Sequence, residues 1–171
     1  MLHIYIDGST KRNGKENSSG GYGVVIFDEN NNIIDIYCER QNNVTNNQME
    51  LKSFLKAFEL LDTKYSGESS IIYSDSAYCI NILTSWIHVW SKNNWRNSKK
   101  EIIKNIDIIR SLYQYYNKDF FISQIEFRKV DGHKGIIGNE LADALAQADV
   151  LKFSRLILEN HISLLAKGET P

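Results

Sequence analysis

Apolar and polar positions alternate with a period of two over Leu2–Asp7. Leu2, Ile4 and Ile6 fall on one side and His3, Tyr5 and Asp7 on the other, the pattern of a strand with two different faces. Gly8 and Ser9 break that pattern, and Thr10–Gly21, rich in Lys, Asn, Ser and Gly, predicts a loop. Tyr22–Phe27 and Ile33–Glu39 flank the polar stretch Asp28–Asn32 and predict a hairpin, so the first three strands form an antiparallel meander. The period then becomes helical: Leu51, Phe54, Leu55, Phe58 and Leu61 share one face. Thr45 or Asn47 is placed to cap this helix, with Gln48 or Glu50 three residues on. Ile71–Ser74 predicts a short buried strand that gives way at Asp75-Ser76 to a helix over Ala77–Leu83. A helix between two strands is a crossover, which sets this strand parallel to the first.

Further on, Ser98–Tyr116 predicts a longer helix and Phe120–Val130 the last strand. A glycine-rich loop over Asp131–Gly138 leads into a helix over Glu140–Val150, with Leu141, Ala144, Leu145 and Ala148 on one face. Leu151–Pro171 reads as a C-terminal tail that packs on or extends the domain formed by residues 1–150, and its apolar positions suffice for one more helix. The order of elements is that of an α/β layered domain.

The length of 171 residues fits one domain with a sizeable core. The net charge of −1 argues neither for nor against nucleic acid, so the distribution of charge matters more than its sum. Cys38 and Cys79 are too few for a disulfide framework or a cysteine zinc site. No apolar run reaches membrane-spanning length, and no charged start leads into an apolar secretory segment, so a cytoplasmic location without membrane contact is the expectation.

Four acids stand at privileged places: Asp7 ends the first strand, Glu50 opens the first helix, Asp75 ends the fourth strand, and Asp143 lies one turn into the last predicted helix. Singly, each has an ordinary reading as a turn residue, a capping glutamate, an N-cap and a solvated helix acid, respectively. Jointly they point elsewhere. If the first and fourth strands are parallel neighbours, Asp7 and Asp75 emerge side by side, where open α/β sheets place their ligands. Carboxylates brought together repel unless a cation neutralises them. An all-oxygen donor set suits Mg²⁺, or Mn²⁺, rather than zinc. Two such ions clamp the attacking and leaving oxygens of a phosphodiester in a known mode of catalysis. His133, between Gly132 and Lys134-Gly135, is placed to shuttle protons or assist product release.

At these residues the chain resembles type 1 ribonuclease H. The matching motifs are Asp7-Gly8-Ser9, Thr45-Asn46-Asn47-Gln48-Met49-Glu50-Leu51, Ser74-Asp75-Ser76, and Gly132-His133-Lys134-Gly135 running on to Gly138-Asn139-Glu140-Leu141-Ala142-Asp143. Their order and spacing match over roughly residues 2–150. The resemblance implies a five-stranded mixed sheet of order 3-2-1-4-5 flanked by helices, with Leu2–Asp7 in the middle. It implies endonucleolytic cleavage of the RNA strand of an RNA–DNA hybrid, leaving 5′-phosphate and 3′-hydroxyl ends. It assigns Asp7, Glu50, Asp75 and Asp143 to two metal ions and His133 to catalytic assistance.

A substrate surface reads similarly. Lys92, Arg96, Lys99, Lys100 and Lys104 stand against one acid, Glu101, interleaved with Trp86, Trp90 and Trp95. A local basic surface on a nearly neutral chain is a phosphate footprint. It resembles the basic protrusion with which the family grips the DNA strand. By the same likeness Thr45 and Asn105 would hold a DNA phosphate, Tyr78 and Trp86 would line the DNA channel, and Asn47 and Gln48 would reach the minor groove. The loop after Ser9 lacks the family's proline-containing turn, which leaves open whether Asn13 or Asn17 meets the substrate. No stretch before the first strand is long enough for a hybrid-binding domain, so affinity is expected to come from the catalytic domain of a monomer with no obligate protein partner.

Two other classes compete. A junction resolvase or exonuclease on the same fold fits poorly, because the Thr-Asn-Asn-x-x-Glu stretch and the tryptophan-rich basic segment resemble hybrid-specific features. A non-catalytic nucleic-acid-binding module is expected to have lost at least one of the acids, and all four are present.

Overall fold

The structure, a computed structural model, describes residues 1–132 and 134–166, with side chains through Ser163. Five strands form one sheet: β1 (Leu2–Lys11), β2 (Ser19–Phe27), β3 (Ile33–Asn42), β4 (Ser70–Ser74) and β5 (Ile125–Lys129). Their order is β3-β2-β1-β4-β5, so β1 is the central strand. β1 pairs antiparallel with β2, and parallel with β4 from Leu2↔Ser70 to Tyr5↔Tyr73. The mixed sheet of order 3-2-1-4-5 is therefore the architecture that the resemblance implied.

Both faces of the sheet are covered, as a partly parallel sheet requires. On one face Ile4, Ile6, Val24, Ile26 and Ile72 pack against α1 (Asn46–Thr63), through Met49, Phe54 and Phe58, and against α4 (Ile106–Tyr116), through Ile109 and Leu112. On the other, Tyr5, Val25 and Phe27 meet α5 (Ile137–Gln147) and α6 (Val150–Ala166), through Leu141, Ala144 and Leu156. The alternation in β1 is thus real but divides two cores rather than core from solvent. Strand β2 is buried from Gly20 to Phe27 for the same reason.

Helix α1 starts at a complete capping box. The Thr45 hydroxyl accepts from the Gln48 N–H, and Gln48 Oε1 accepts from the Thr45 N–H at 2.8 Å. Of the alternatives open in the sequence, Thr45 and Gln48 are therefore the pair used, and Glu50 is left for other work.

Several boundaries differ from the expectation. Gly8 and Ser9 do not end β1, which runs on to Lys11 because Gly8–Lys11 remain paired with Ser19–Tyr22. The helix after β4 does not stop at Leu83. It runs as α2 (Ala77–Asn81), a π turn over Ile82–Trp86, and α3 (Ile87–Lys92). Residues 98–105 are not helical. There the Asn97 side chain accepts from the N–H groups of Lys99 and Glu101, Lys100 and Asn105 take positive φ of 64° and 58°, and a lone bridge joins Arg96 to Ile102. Local side-chain bonds of this kind compete with the helix. The last strand is Ile125–Lys129 only, since Phe120 turns the chain at φ 61° and stays exposed. Helix α5 begins at Ile137 rather than Glu140 and ends at Gln147, capped by the left-handed Ala148.

Glycines set how closely the helices press on the sheet. A Cβ on Gly8 would overlap the α1 backbone at Met49 and Glu50, one on Gly23 would overlap the Ala142 carbonyl, and one on Gly138 would overlap the Tyr5 ring. Replacing Gly138 by Ala forces α5 off β1 and should cost about 1–3 kcal/mol of stability, the range for overpacking. Chemical denaturation of the variant beside wild type measures it.

Candidate active site

Four elements deliver one acid each to a single cavity of about 220 Å³. Asp7 from β1, Glu50 from α1, Asp75 directly after β4 and Asp143 from α5 line it together with Gly8, Ser9, Asn46, Asn139 and Gln147. The local reasons are separable. β4 ends at Ser74 while β1 runs on, so Asp7 and Asp75 lie where the parallel pairing has just stopped. Gly8 lets the α1 backbone lie directly on β1, which puts Glu50 beside Asp7. Gly23 and Gly138 do the same for α5, which carries Asp143. The cap of α2 is Ser76, whose hydroxyl accepts from the Cys79 N–H, so Asp75 is not spent as an N-cap.

The acids repel. Burial, then the charges of Asp75 and Asp143, push Asp7 up from 3.8 to about 8, with a smaller push from Glu50. Burial also raises Glu50, although three donors oppose it: Ser76 Oγ donates to Oε2 at 2.5 Å, Asn46 Nδ2 to Oε1 at 2.8 Å, and Cys79 Sγ lies 3.6 Å from Oε2. Asp143 is 5 % exposed. Gln147 Nε2 donates to its Oδ1 at 2.5 Å and Lys152 Nζ to its Oδ2 at 2.6 Å. Burial pulls the Lys152 ammonium down, but its bonds to Asp143 and Glu140 outweigh that and hold it above the ordinary lysine value.

The donor set fits a hard divalent cation. It is all oxygen, the charges of its other acids add to burial in raising Asp7, and Asn139 adds a buried Oδ1 with no partner among the described residues. Among those residues no three His, Cys, Asp or Glu side chains close around one point, and Glu50 and Asp143 both bond to protein donors.

His133 lies outside the described residues. Its neighbour Gly132 does not: a Cβ there would come within 2.6 Å of Asp75 Oδ2, so the loop passes directly over the acid, and a side chain at that position would push the carboxylate aside.

The expected substrate residues divide. Lys92, Arg96, Lys99 and Lys100 are exposed on and beyond the end of α3, with Arg96 Nη1 donating to the Lys100 carbonyl at 2.7 Å. Tyr78 and Trp86 meet edge to face at 5.9 Å, and Trp86 is 39 % exposed. Trp95 instead packs edge to face on Tyr113 at 5.3 Å, against the core. Asn47 is exposed, and Asn105 sits at the left-handed residue before α4. Thr45 and Gln48 are occupied by the cap. Asn13 Oδ1 accepts from the Asn46 N–H at 3.0 Å, so of the two loop asparagines Asn13 is the one tied to α1. Sequence reasoning missed Asn46, Ser76, Gln147 and Lys152, which hold the acids. Asn46, one helical turn before Glu50, and Gln147, one turn after Asp143, both had a spacing that signals such a contact.

The sheet order and the acid-lined cavity define a ribonuclease H-like α/β protein. The RNase H family model matches residues 1–150. A ribonuclease H of Orientia tsutsugamushi is 36% identical over 159 residues, covering 93% of this chain and 88% of the relative. Among solved structures, LC9-RNase H1, a type 1 RNase H with the type 2 active-site motif, is 28% identical at a TM-score of 0.69, covering 86% of this chain and 70% of that one. The foamy viral protease-reverse transcriptase in complex with RNA/DNA hybrid shares the fold at 22% identity and a TM-score of 0.75, covering 86% of this chain and 19% of that one. The chain belongs to the ribonuclease H family, whose members are divalent-metal-dependent nucleases.

The raised Asp7 makes metal-free stability depend on pH. Between its unfolded value of 3.8 and about 8 the folded form holds a proton that the unfolded chain has lost. This contribution is complete at acid pH and is lost as pH rises through about 8. In chelator at pH 7, Asp7→Asn should therefore be more stable than wild type by roughly 1–3 kcal/mol, with a flatter pH profile. Thermal melts from pH 4 to pH 9 test it.

Proposed function

We propose that this chain hydrolyses the RNA strand of RNA–DNA hybrids, leaving 5′-phosphate and 3′-hydroxyl ends, in primer or R-loop removal. Residues 1–150 would be the catalytic domain and residues 151–171 an extension of it, acting as a cytoplasmic monomer with no obligate partner. The observation that carries the reading is the delivery of Asp7, Glu50, Asp75 and Asp143 by four elements to one cavity, in a member of the ribonuclease H family.

These four residues would hold two Mg²⁺ ions, with Mn²⁺ the alternative. Bound there, the ions would lower the barrier by activating the attacking water and stabilising the leaving 3′-oxygen. The remaining roles belong to the chain. Ser76 and Asn46 hold the Glu50 carboxylate by hydrogen bonds to its two oxygens. Burial in the cavity, with the neighbouring acids, raises Asp7, so a cation beside it would favour its charged form near neutral pH. His133 would pass a proton to the leaving oxygen.

On the flank, Lys92, Arg96, Lys99 and Lys100 would neutralise DNA phosphates, while Tyr78 and the exposed Trp86 give the DNA strand an aromatic wall. Thr45 and Asn105 would take a phosphate, and Asn47 and Gln48 the minor groove, where RNA displays its 2′-hydroxyls. Gln48 would do so while its Oε1 caps α1, leaving its amide N–H groups to donate. Trp95 would act through packing, by fixing the basic segment to α4.

Cleavage of a labelled hybrid, beside single-stranded RNA and duplex DNA, should need a divalent ion and be confined to the RNA strand of the hybrid. Asp75→Asn should lower the rate by more than about a hundredfold; an unchanged rate sinks the assignment. Changing Lys99 and Lys100 together to Ala should weaken hybrid binding at low salt and flatten its salt dependence by roughly one to two released counterions. A salt slope equal to that of wild type would remove the basic segment from the interface.

A further inference from the structure

The helix that follows the residues matched by the family model reaches back into the site. Ala148 ends α5 in a left-handed conformation with φ 56°, and Asp149 donates its N–H to the Ala144 carbonyl at 2.8 Å. Asp149 Oδ1 then accepts from the Lys152 N–H at 2.9 Å at the start of α6. Leu156 is buried against Leu141 and Ala144, which locks α6 onto α5. This turn aims Lys152 at the acids. Its ammonium lies 2.6 Å from Asp143 Oδ2 and 2.9 Å from Glu140 Oε2. The Lys152 and Asp143 side chains are only 22% and 7% exposed, so the pair is not a screened surface contact.

We propose that Lys152 is a tethered counter-ion for Asp143, competing with the divalent ion for that carboxylate, so that α6 tunes the metal affinity of the site. This rests on the reading of Asp143 as a metal-binding residue. Gln147 takes one oxygen of Asp143 and Lys152 the other. An ion that takes Asp143 as ligand must displace the ammonium or share the carboxylate with it, and two cations on one carboxylate repel. Displacement is cheap here for a structural reason. Lysine is a compact charge on a flexible stem, and Glu140 already accepts from it, so Lys152 retains an acceptor when Asp143 is taken. Without the ion, the same contact neutralises a buried acid next to Asp7.

The test is Mg²⁺ titration of the full chain by calorimetry, with the Mg²⁺-induced rise in melting temperature as a second readout. Lys152→Gln should bind Mg²⁺ about three- to tenfold more tightly than wild type and gain more in melting temperature, as expected for loss of a partly buried competing charge. Lys152→Ala should shift affinity the same way in a position that suits a helix former, and Lys152→Arg, which keeps the charge, should stay within about twofold of wild type. In an Asp143→Asn background the Lys152→Gln gain should vanish. Equal or weaker binding by Lys152→Gln and Lys152→Ala overturns the competition while leaving the carboxylate site standing. A gain that persists in Asp143→Asn also overturns it, because the lysine then acts through general charge. Absence of Mg²⁺ binding in wild type and all variants overturns the metal reading, and the proposal with it.

Discussion

The site depends on the close approach of helix to sheet at three glycines. Gly8 admits the first turns of α1 onto β1, Gly23 admits the Ala142 carbonyl, and Gly138 admits the Tyr5 ring. A side chain at any of them would hold a helix away by the thickness of a methyl group or more. Each helix carries an acid within a few residues of its contact: Glu50 at the Gly8 crossing, Asp143 five residues beyond Gly138. The convergence of the carboxylates on Asp7 therefore follows from close packing of interior elements.

That packing sets up an electrostatic conflict, which the chain meets with donors. Asp7 is raised first by burial on the central strand and then by the charges of the neighbouring acids. Glu50 is held by Asn46, Ser76 and Cys79, and Asp143 by Gln147 and Lys152. Every one of these contacts stabilises a buried carboxylate. On the proposed metal reading, metal affinity is traded against the stability of the protein without metal, and Lys152 carries that trade onto α6.

The substrate face was less legible than the acid site. Thr45 and Gln48 have the residue types of both a capping box and a nucleic-acid contact, and the structure engages them in the cap. Trp86 and Trp95 look alike in an aromatic, basic stretch, yet one ring is exposed beside Tyr78 and the other is packed on Tyr113. The expected helix over residues 98–105 failed because Asn97 bonds the following N–H groups locally, a competition that apolar periodicity does not record.

The sequence by itself determined the architecture and the acids. Period-two and period-3.6 patterns mark the elements whatever their surroundings, and a helical crossover sets the fourth strand parallel to the first. The resemblance carried by the Asp7, Glu50, Asp75 and Asp143 motifs supplied the sheet order that the structure has. What tertiary structure alone decided was which atoms meet: that β1 continues past Asp7, that Gly132 lies on Asp75, and that Lys152 reaches Asp143. These contacts join residues from different elements or across a helix break. Their distances are set by how closely two surfaces pack, a property that no local pattern in the chain encodes.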